Sequence, residues 1–191
     1  MEIVKRYITL SQVSLFSLLL VCTATIPSIV TTRGGASNFG DHTSTVVPYV
    51  LGFGLCAVFL CLAATRLLSI SDRLRIPASR LLFLALLLLL VLISTFPRKV
   101  NSTYSALHDY IGVALYLYEF LLSAWLVVNK GASLAVLFLC IESIGSVIGF
   151  LSLENVIHLL FVGQIVGAIG FGLLLPAAFP SVVATRACLT D

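Results

Sequence analysis

The sequence predicts an all-α, polytopic membrane protein, a bundle of six transmembrane helices with both termini in the cytoplasm. Three observations predict it. Of 191 residues, 60% are hydrophobic and only 10% are charged, whereas a soluble domain averages about 25% charged residues. The apolar residues gather into six runs, each close to the roughly 20 residues that cross a hydrocarbon core of about 30 Å. The basic residues concentrate in alternate connections, as the positive-inside rule requires.

No soluble fold of this length can bury so much apolar surface, and a mean hydropathy of +1.14 agrees. The solvent of the chain is lipid, so each span must satisfy its own backbone. A net charge of +3 is too small to imply a nucleic-acid partner. Of the five cysteines, Cys22, Cys56, Cys61 and Cys140 lie in apolar runs and Cys188 in the C-terminal tail. They are expected to behave as small hydrophobes rather than as a disulfide framework.

Lys5 and Arg6 precede the first span, expected over 7–30. A cleaved signal peptide is the rival reading, but the run is long and lacks a clean small-x-small site. A polar loop, 31–45, follows. Its glycines mark turns, and Gly34-Gly35 lacks the context of a phosphate loop. Asp41-His42 could bind a metal or ligand, or could simply be solvated. Helix 2 is expected over 46–68, with Gly52, Gly54, Cys56 and Ala57 suited to close contact. Arg66, Arg73, Arg75 and Arg80 cluster around the next connection, where they set topology or meet anionic lipid. Helix 3, 77–96, is almost featureless leucine and is expected to face lipid.

Helix 4 is expected over 106–128 and organises the reading. It carries His108 and Glu119 at i and i+11, three turns apart on one stripe that includes Gly112 and Leu115. Asn101-Ser102-Thr103 just before it is a glycosylation acceptor sequence. Helix 5, 132–153, carries Glu142, Ser143, Ser146 and the pair Gly145 and Gly149. Helix 6, 156–179, carries His158, Gln164 and the pair Gly163 and Gly167. Small-x-x-x-small spacing lets backbones approach, so helices 5 and 6 are expected to pack tightly.

With the N-terminus inside, the cytoplasmic segments hold Lys5, Arg6, Arg66, Arg73, Arg75, Arg80, Lys130 and Arg186. His42, His108, Asp109 and His158 then form an extracytoplasmic cluster. His108 and His158, at similar depth on parallel spans, could ligate one haem iron from both sides. They are also the candidates for a metal site, with His42 as a third ligand. Otherwise no cofactor is indicated.

Glu119 and Glu142 fall near mid-bilayer, where a charged carboxylate costs about 2.5–3.5 kcal/mol on insertion scales. Each is therefore expected to be protonated, hydrogen-bonded or turned toward water. With Gln164 they are the intramembrane polar groups. They suit proton or cation movement, or interhelical hydrogen bonds to Ser123, Ser143, Ser146 or Gln164. The aromatic set Tyr104, Tyr110, Tyr116, Tyr118, Phe120 and Trp125 suits an interfacial belt or a pocket lining.

Catalysis has no motif. Neither Gly-x-Ser-x-Gly nor His-Glu-x-x-His occurs, and the adjacent His108 and Asp109 point about 100° apart on a helix. Cys188-Leu-Thr-Asp has prenylation spacing but the wrong residues for it.

Pro27-Ser28, Gly34-Gly35, the basic segment Arg73–Arg80, Phe96-Pro97, and His108 with Gly112 together form a layout. It resembles the six-helix superfamily of the damage-regulated autophagy modulator and the FGF-receptor-activating protein, which has prokaryotic relatives. The resemblance spans most of the chain. The loop 31–45 departs from it and does not clearly place the family's acidic residue, for which Asp41 is the candidate. The resemblance implies a non-enzymatic membrane protein that acts through lipids or partner proteins, and it transfers no catalytic residues. The expected partners are membrane lipids and other membrane-protein subunits, or further copies of the chain.

Overall fold

The computed structural model describes residues 1–31, 35–130, 133–154 and 156–188. Gly34, Ala132 and the last three residues of the Cys188-Leu-Thr-Asp tail, all used above, lie outside the described residues. The described residues form six long helices and no strand. These are α1 (Glu2–Thr25), α2 (Val46–Ile70), α3 (Arg75–Thr95), α4 (Ser102–Lys130), α5 (Ser133–Leu153) and α6 (Leu160–Cys188). All six contain a window long and apolar enough to cross a membrane. The shortest have 21 residues, about 31 Å at 1.5 Å per residue.

Local chemistry sets the helix ends. α1 stops at Thr25, not near residue 30, because Ile26 precedes Pro27. The ring of a proline disfavours α geometry in the residue before it, and Ile26 takes φ −133°, ψ 74°. Pro27–Thr31 continues as a 3-10 turn. α4 starts four residues earlier than expected because Asn101 caps it, accepting the Tyr104 amide at 3.0 Å on its side-chain oxygen. The acceptor asparagine is thus the exposed cap of the helix. α6 begins at Leu160 and runs on through Pro176 and Pro180 to Cys188. Proline is tolerated in spans whose freed carbonyls are satisfied by neighbours.

α1, α2, α3, α4 and α6 close a ring, each touching the next, with α6 returning to α1. α5 stands outside that ring and packs on α6 and α4. The reading of α3 as the lipid-facing helix is overturned. Half of its most apolar window is buried, against 22% for α4 and 17% for α5. Leu81, Leu84, Ala85, Leu88 and Leu92 face the bundle. The physical reason is that lipid tails are as apolar as leucine, so a leucine-rich face carries no sign of what covers it. Nor is α4 framed by the other helices. One face of it meets α3, α5 and α6, and the other stays uncovered.

The α5–α6 contact is built on glycine, as its spacing predicts. A Cβ on Gly145 would collide with the backbone of Gly167, and one on Gly163 would fall 2.5 Å from Gly149 N. One on Gly170 would fall 2.5 Å from Glu142 N. Gly149 itself faces open space, so its small size serves Gly163 rather than its own side-chain position. In helix 2, a Cβ on Gly52 would lie 3.1 Å from Leu18 Cβ, while one on Gly54 would meet nothing within 4 Å. Cys22 and Cys56 are buried free thiols, and Cys140 lies exposed on α5.

Gly163→Val should therefore cost about 1–3 kcal/mol through forced separation of the two backbones. Gly54→Ala should leave stability within about 0.5 kcal/mol. Reversible unfolding in mixed detergent would check both, and equal losses would disprove a glycine-mediated contact.

Candidate functional site

The stripe singled out on α4 does line a cavity. His108, Gly112, Leu115 and Glu119 all border one void of about 100 Å³ inside the ring, together with Tyr116. Leu15 and Leu19 of α1, Tyr49 and Phe53 of α2, Leu88 and Val91 of α3, and Gln164 of α6 complete its walls. Ala36 and Ser37, from the connection between α1 and α2, form its roof.

That roof is a 3-10 segment, Ala36–Asp41, and it is held from several sides. The Ala36 amide donates to Gln164 Oε1 at 2.7 Å. A Cβ at Gly35 would lie 2.5 Å from the same oxygen, so a larger residue there would displace the end of the Gln164 side chain. Phe39 is fully buried and meets Phe161 edge-on at 5.5 Å. Thr45 Oγ1 donates to the Phe39 carbonyl at 2.7 Å. Arg98 makes the most contacts with the roof. Its guanidinium donates to Ser37 Oγ at 2.8 Å, to Asn38 Oδ1 at 2.7 Å and to the Asp41 carboxylate. Lys99 adds a second cation 3.5 Å from Asp41. Asp41 is therefore the roof's anchor and not a partner of His42, which is exposed. Pro97–Lys99 forms a 3-10 turn that aims Arg98 at the roof.

His108 is buried and its Nδ1 lies 2.9 Å from Ser94 Oγ. Ser94 Oγ also lies 3.1 Å from the Val91 carbonyl. Asp109 points outward and is exposed, so the sequence neighbours are separated as helix geometry requires. His158 is not at the head of α6. It sits exposed in the connection before Leu160 and does not line the cavity. His158 thus lies in a connection, whereas its sequence context predicts a place on a span parallel to that of His108. The connection bends away before the helix starts, with the Val156 and Ile157 amides both turned to the Leu151 carbonyl. Among the described residues no three His, Cys, Asp or Glu side chains converge as a metal site.

Glu119, half-buried, borders the cavity. Glu142 lies behind it on α5, 2% exposed, and neither of its oxygens has a hydrogen-bond partner. Ser123 faces the Glu142 carboxyl from α4, yet its Oγ also lacks a bond of normal geometry. The Tyr116 ring and the Glu142 carbonyl both pack against Gly167 of α6. The other expected partners are used elsewhere. Gln164 holds Ala36, Ser143 donates to the Leu139 carbonyl and Ser146 to the Glu142 carbonyl.

Of the aromatic set, Tyr116 lines the cavity, while Tyr104 and Tyr110 are exposed. Tyr118 donates to the Arg80 carbonyl at 2.9 Å. The Arg80 guanidinium lies 3.7 Å from the Trp125 ring centroid, a cation–π contact near the arginine-rich end. Arg98, Ser94 and Tyr49 are the site residues that sequence reasoning missed. Arg98 carried a signal, since with Arg33 and Lys99 it is one of only three basic residues in the connections at that end. Tyr49, whose hydroxyl lies 3.1 Å from Thr95 Oγ1, carried none.

The chain matches no protein-family model, no curated protein and no solved structure.

Arg98→Ala should release the roof. The Arg98 and Asp41 side chains are only 15% and 12% exposed, and removing one member of such a pair strands the other, at about 3 kcal/mol. Hydrogen exchange over residues 35–41 should rise sharply in this variant. Lys99→Ala, which removes a 66%-exposed partner, should cost under about 1 kcal/mol. If both variants left exchange over this segment unchanged, Arg98 would not be what holds the roof.

Proposed function

We propose that this chain is a multi-pass membrane protein that acts by binding and not by catalysis, organising lipid or a partner membrane complex around itself. The observation that carries this reading is the position of α5. It is apolar, it packs on only two helices, and it leaves Val136, Ile144, Val147 and Phe150 uncovered. A helix held outside a closed ring offers a surface to a neighbouring span, a further copy of the chain or a preferred lipid. The same class of activity is what the resemblance to the damage-regulated autophagy modulator superfamily implies. In this reading the arginine-rich end lies in the cytoplasm and the Ala36–Asp41 roof faces the other side.

Photo-crosslinkers at Val136, Val147 and Phe150, compared with Phe83, Leu86 and Ile93 on the exposed face of α3, test it in the native membrane. The α5 probes should yield a discrete protein adduct or one enriched lipid class, and the α3 probes bulk lipid alone. Identical bulk-lipid adducts from both faces would overturn the reading.

A second reading has its own observation in favour. A buried carboxyl, Glu142, whose oxygens lack hydrogen-bond partners, and a second, Glu119, on the wall of the cavity suit a small proton- or cation-coupled transport component. Glu119→Gln with Glu142→Gln should abolish ion flux in proteoliposomes if this holds. A pure organiser would lose no flux and would keep its α5 crosslinks. The third reading, a mono-haem electron carrier, retains His108 but finds no second histidine on the cavity wall.

A further inference from the structure

We propose that the groove between α1 and α6 seats one anionic phospholipid, its phosphate on Lys5 and Arg6 and one acyl chain along the groove. The inference deepens the lipid arm of the first reading above, to which it adds a lipid class and a place, and it rests on that reading's premise that the chain spans a membrane.

Shape comes first. α1 packs far more extensively on α2 than on α6, and a groove of about 360 Å³ opens along the α1–α6 contact. Val13 and Phe16 of α1 face Ile169, Leu173 and Pro176 of α6 across it. Its floor lies where Phe16 meets Gly172, since a Cβ on that glycine would fall 2.6 Å from the Phe16 ring. Val13 and Leu173 stand at the rims, 53% and 47% exposed. The volume equals roughly a dozen water-sized groups at about 30 Å³ each, the bulk of most of one acyl chain. A single turn of a helix about 10 Å across and 5.4 Å tall already occupies about 420 Å³. A neighbouring span, or a second copy of the chain, would therefore exceed the groove within one turn.

Charge comes second. Thr9, Gln12 and Phe16 follow Lys5 at four, seven and eleven residues, and Thr9 and Val13 follow Arg6 at three and seven. Both cations therefore stand on the groove side of α1, one turn before the groove begins. Both are exposed, and among the described residues neither is taken up in an ion pair. At the same end of the bundle Arg75 is bridged to Asp72, and Arg80 lies on the Trp125 ring. Glu2, a turn farther out, is the only carboxylate of α1. Two unpaired cations against one carboxylate favour an anionic headgroup.

Order comes third. Thr9 and Gln12, both lining the groove, stand about 6 and 10 Å along the helix from Lys5. There the ester carbonyls of a phospholipid follow its phosphate. The Thr9 hydroxyl can donate to them. Gln12 is 6% exposed and gives one amide hydrogen to Ser11 Oγ at 3.2 Å, which leaves the other to donate. Beyond Gln12 the walls are Val13, Phe16, Ile169 and Leu173. Cations, donors and hydrocarbon thus succeed one another in the order phosphate, ester, chain. A sterol would leave the cations unanswered, and a free fatty acid would leave the donors so.

The test is native mass spectrometry of the purified full chain in mild detergent, titrated with dioleoyl phosphatidylglycerol or with dioleoyl phosphatidylcholine. One phosphatidylglycerol should bind per chain, at least several-fold more tightly than phosphatidylcholine. Lys5→Gln with Arg6→Gln should erase that preference. Leu173→Trp, which fills the groove from its exposed rim, should weaken both lipids alike, and Val13→Trp should do so from the facing helix. Arg75→Gln, at the same end of the bundle but on α3, should change neither. No preference for phosphatidylglycerol, a preference that survives Lys5→Gln with Arg6→Gln, an equal loss in Arg75→Gln, or binding indifferent to both tryptophans overturns the proposal. A discrete α5 adduct without any phosphatidylglycerol preference would sink this inference and spare the organising reading. The preference together with bulk lipid alone at α5 would do the reverse.

Discussion

The cavity exists because Arg98 holds a polar connection down over an apolar ring. A loop of glycine, serine and asparagine has little reason to lie on a bundle end, since its backbone is as well satisfied by water. What changes the balance is a planar cation that reaches three oxygens on three residues of one turn. Arginine suits this because its fork is preorganised and loses less freedom for each bond made. The pair is largely shielded from water, so its Coulomb term is screened less than that of a surface pair. Phe39, buried against Phe161, then adds apolar burial that a loose loop would forgo. Without the clamp, the face of His108, Tyr116 and Glu119 would be an open vestibule.

The second constraint is the position of the glutamates. Both are set by α4 and α5 near the middle of spans that must sit in lipid. Placing them there costs a few kcal/mol each on insertion scales. The usual relief is a hydrogen bond, yet the serines nearby satisfy their own helices instead. Ser143 and Ser146 each turn back four residues, to Leu139 and Glu142, a local bond that a span offers every serine. The cost stays concentrated on two side chains. A structural glutamate would be expected to be well hydrogen-bonded by the adjoining helix, whereas Glu142 faces only Ser123 of α4, without a bond of normal geometry.

Much of this was legible in the sequence. Six spans, the glycine contact between α5 and α6, and the stripe from His108 to Glu119 all follow from spacing, because 3.6 residues per turn converts sequence distance directly into a face. What was not legible depended on neighbours distant in the chain. The leucines of α3 read as lipid-facing although they are core, since no hydrophobic difference separates lipid from protein interior. His158 read as helical because its surroundings are apolar, while the bend before Leu160 is set by contacts back to Leu151 and Ser152. Asp41 read as a partner of His42 by adjacency. Its real partner lies 57 residues away, and only folding brings the two together.

The outlying helix and the cavity are one mechanical unit. Gly167 sits under the Tyr116 ring, with a would-be Cβ 3.3 Å away, and lies 3.7 Å from the Glu142 carbonyl on the same measure. Gly170 is pressed against the Glu142 amide. The backbone contact that fixes α5 to α6 therefore also fixes where Glu142 stands relative to Tyr116 and Glu119. A partner or lipid that shifted α5 on α6 would move one carboxyl with respect to the other. The organising and transport readings are thus not exclusive in this architecture. They use opposite sides of the same glycine contact.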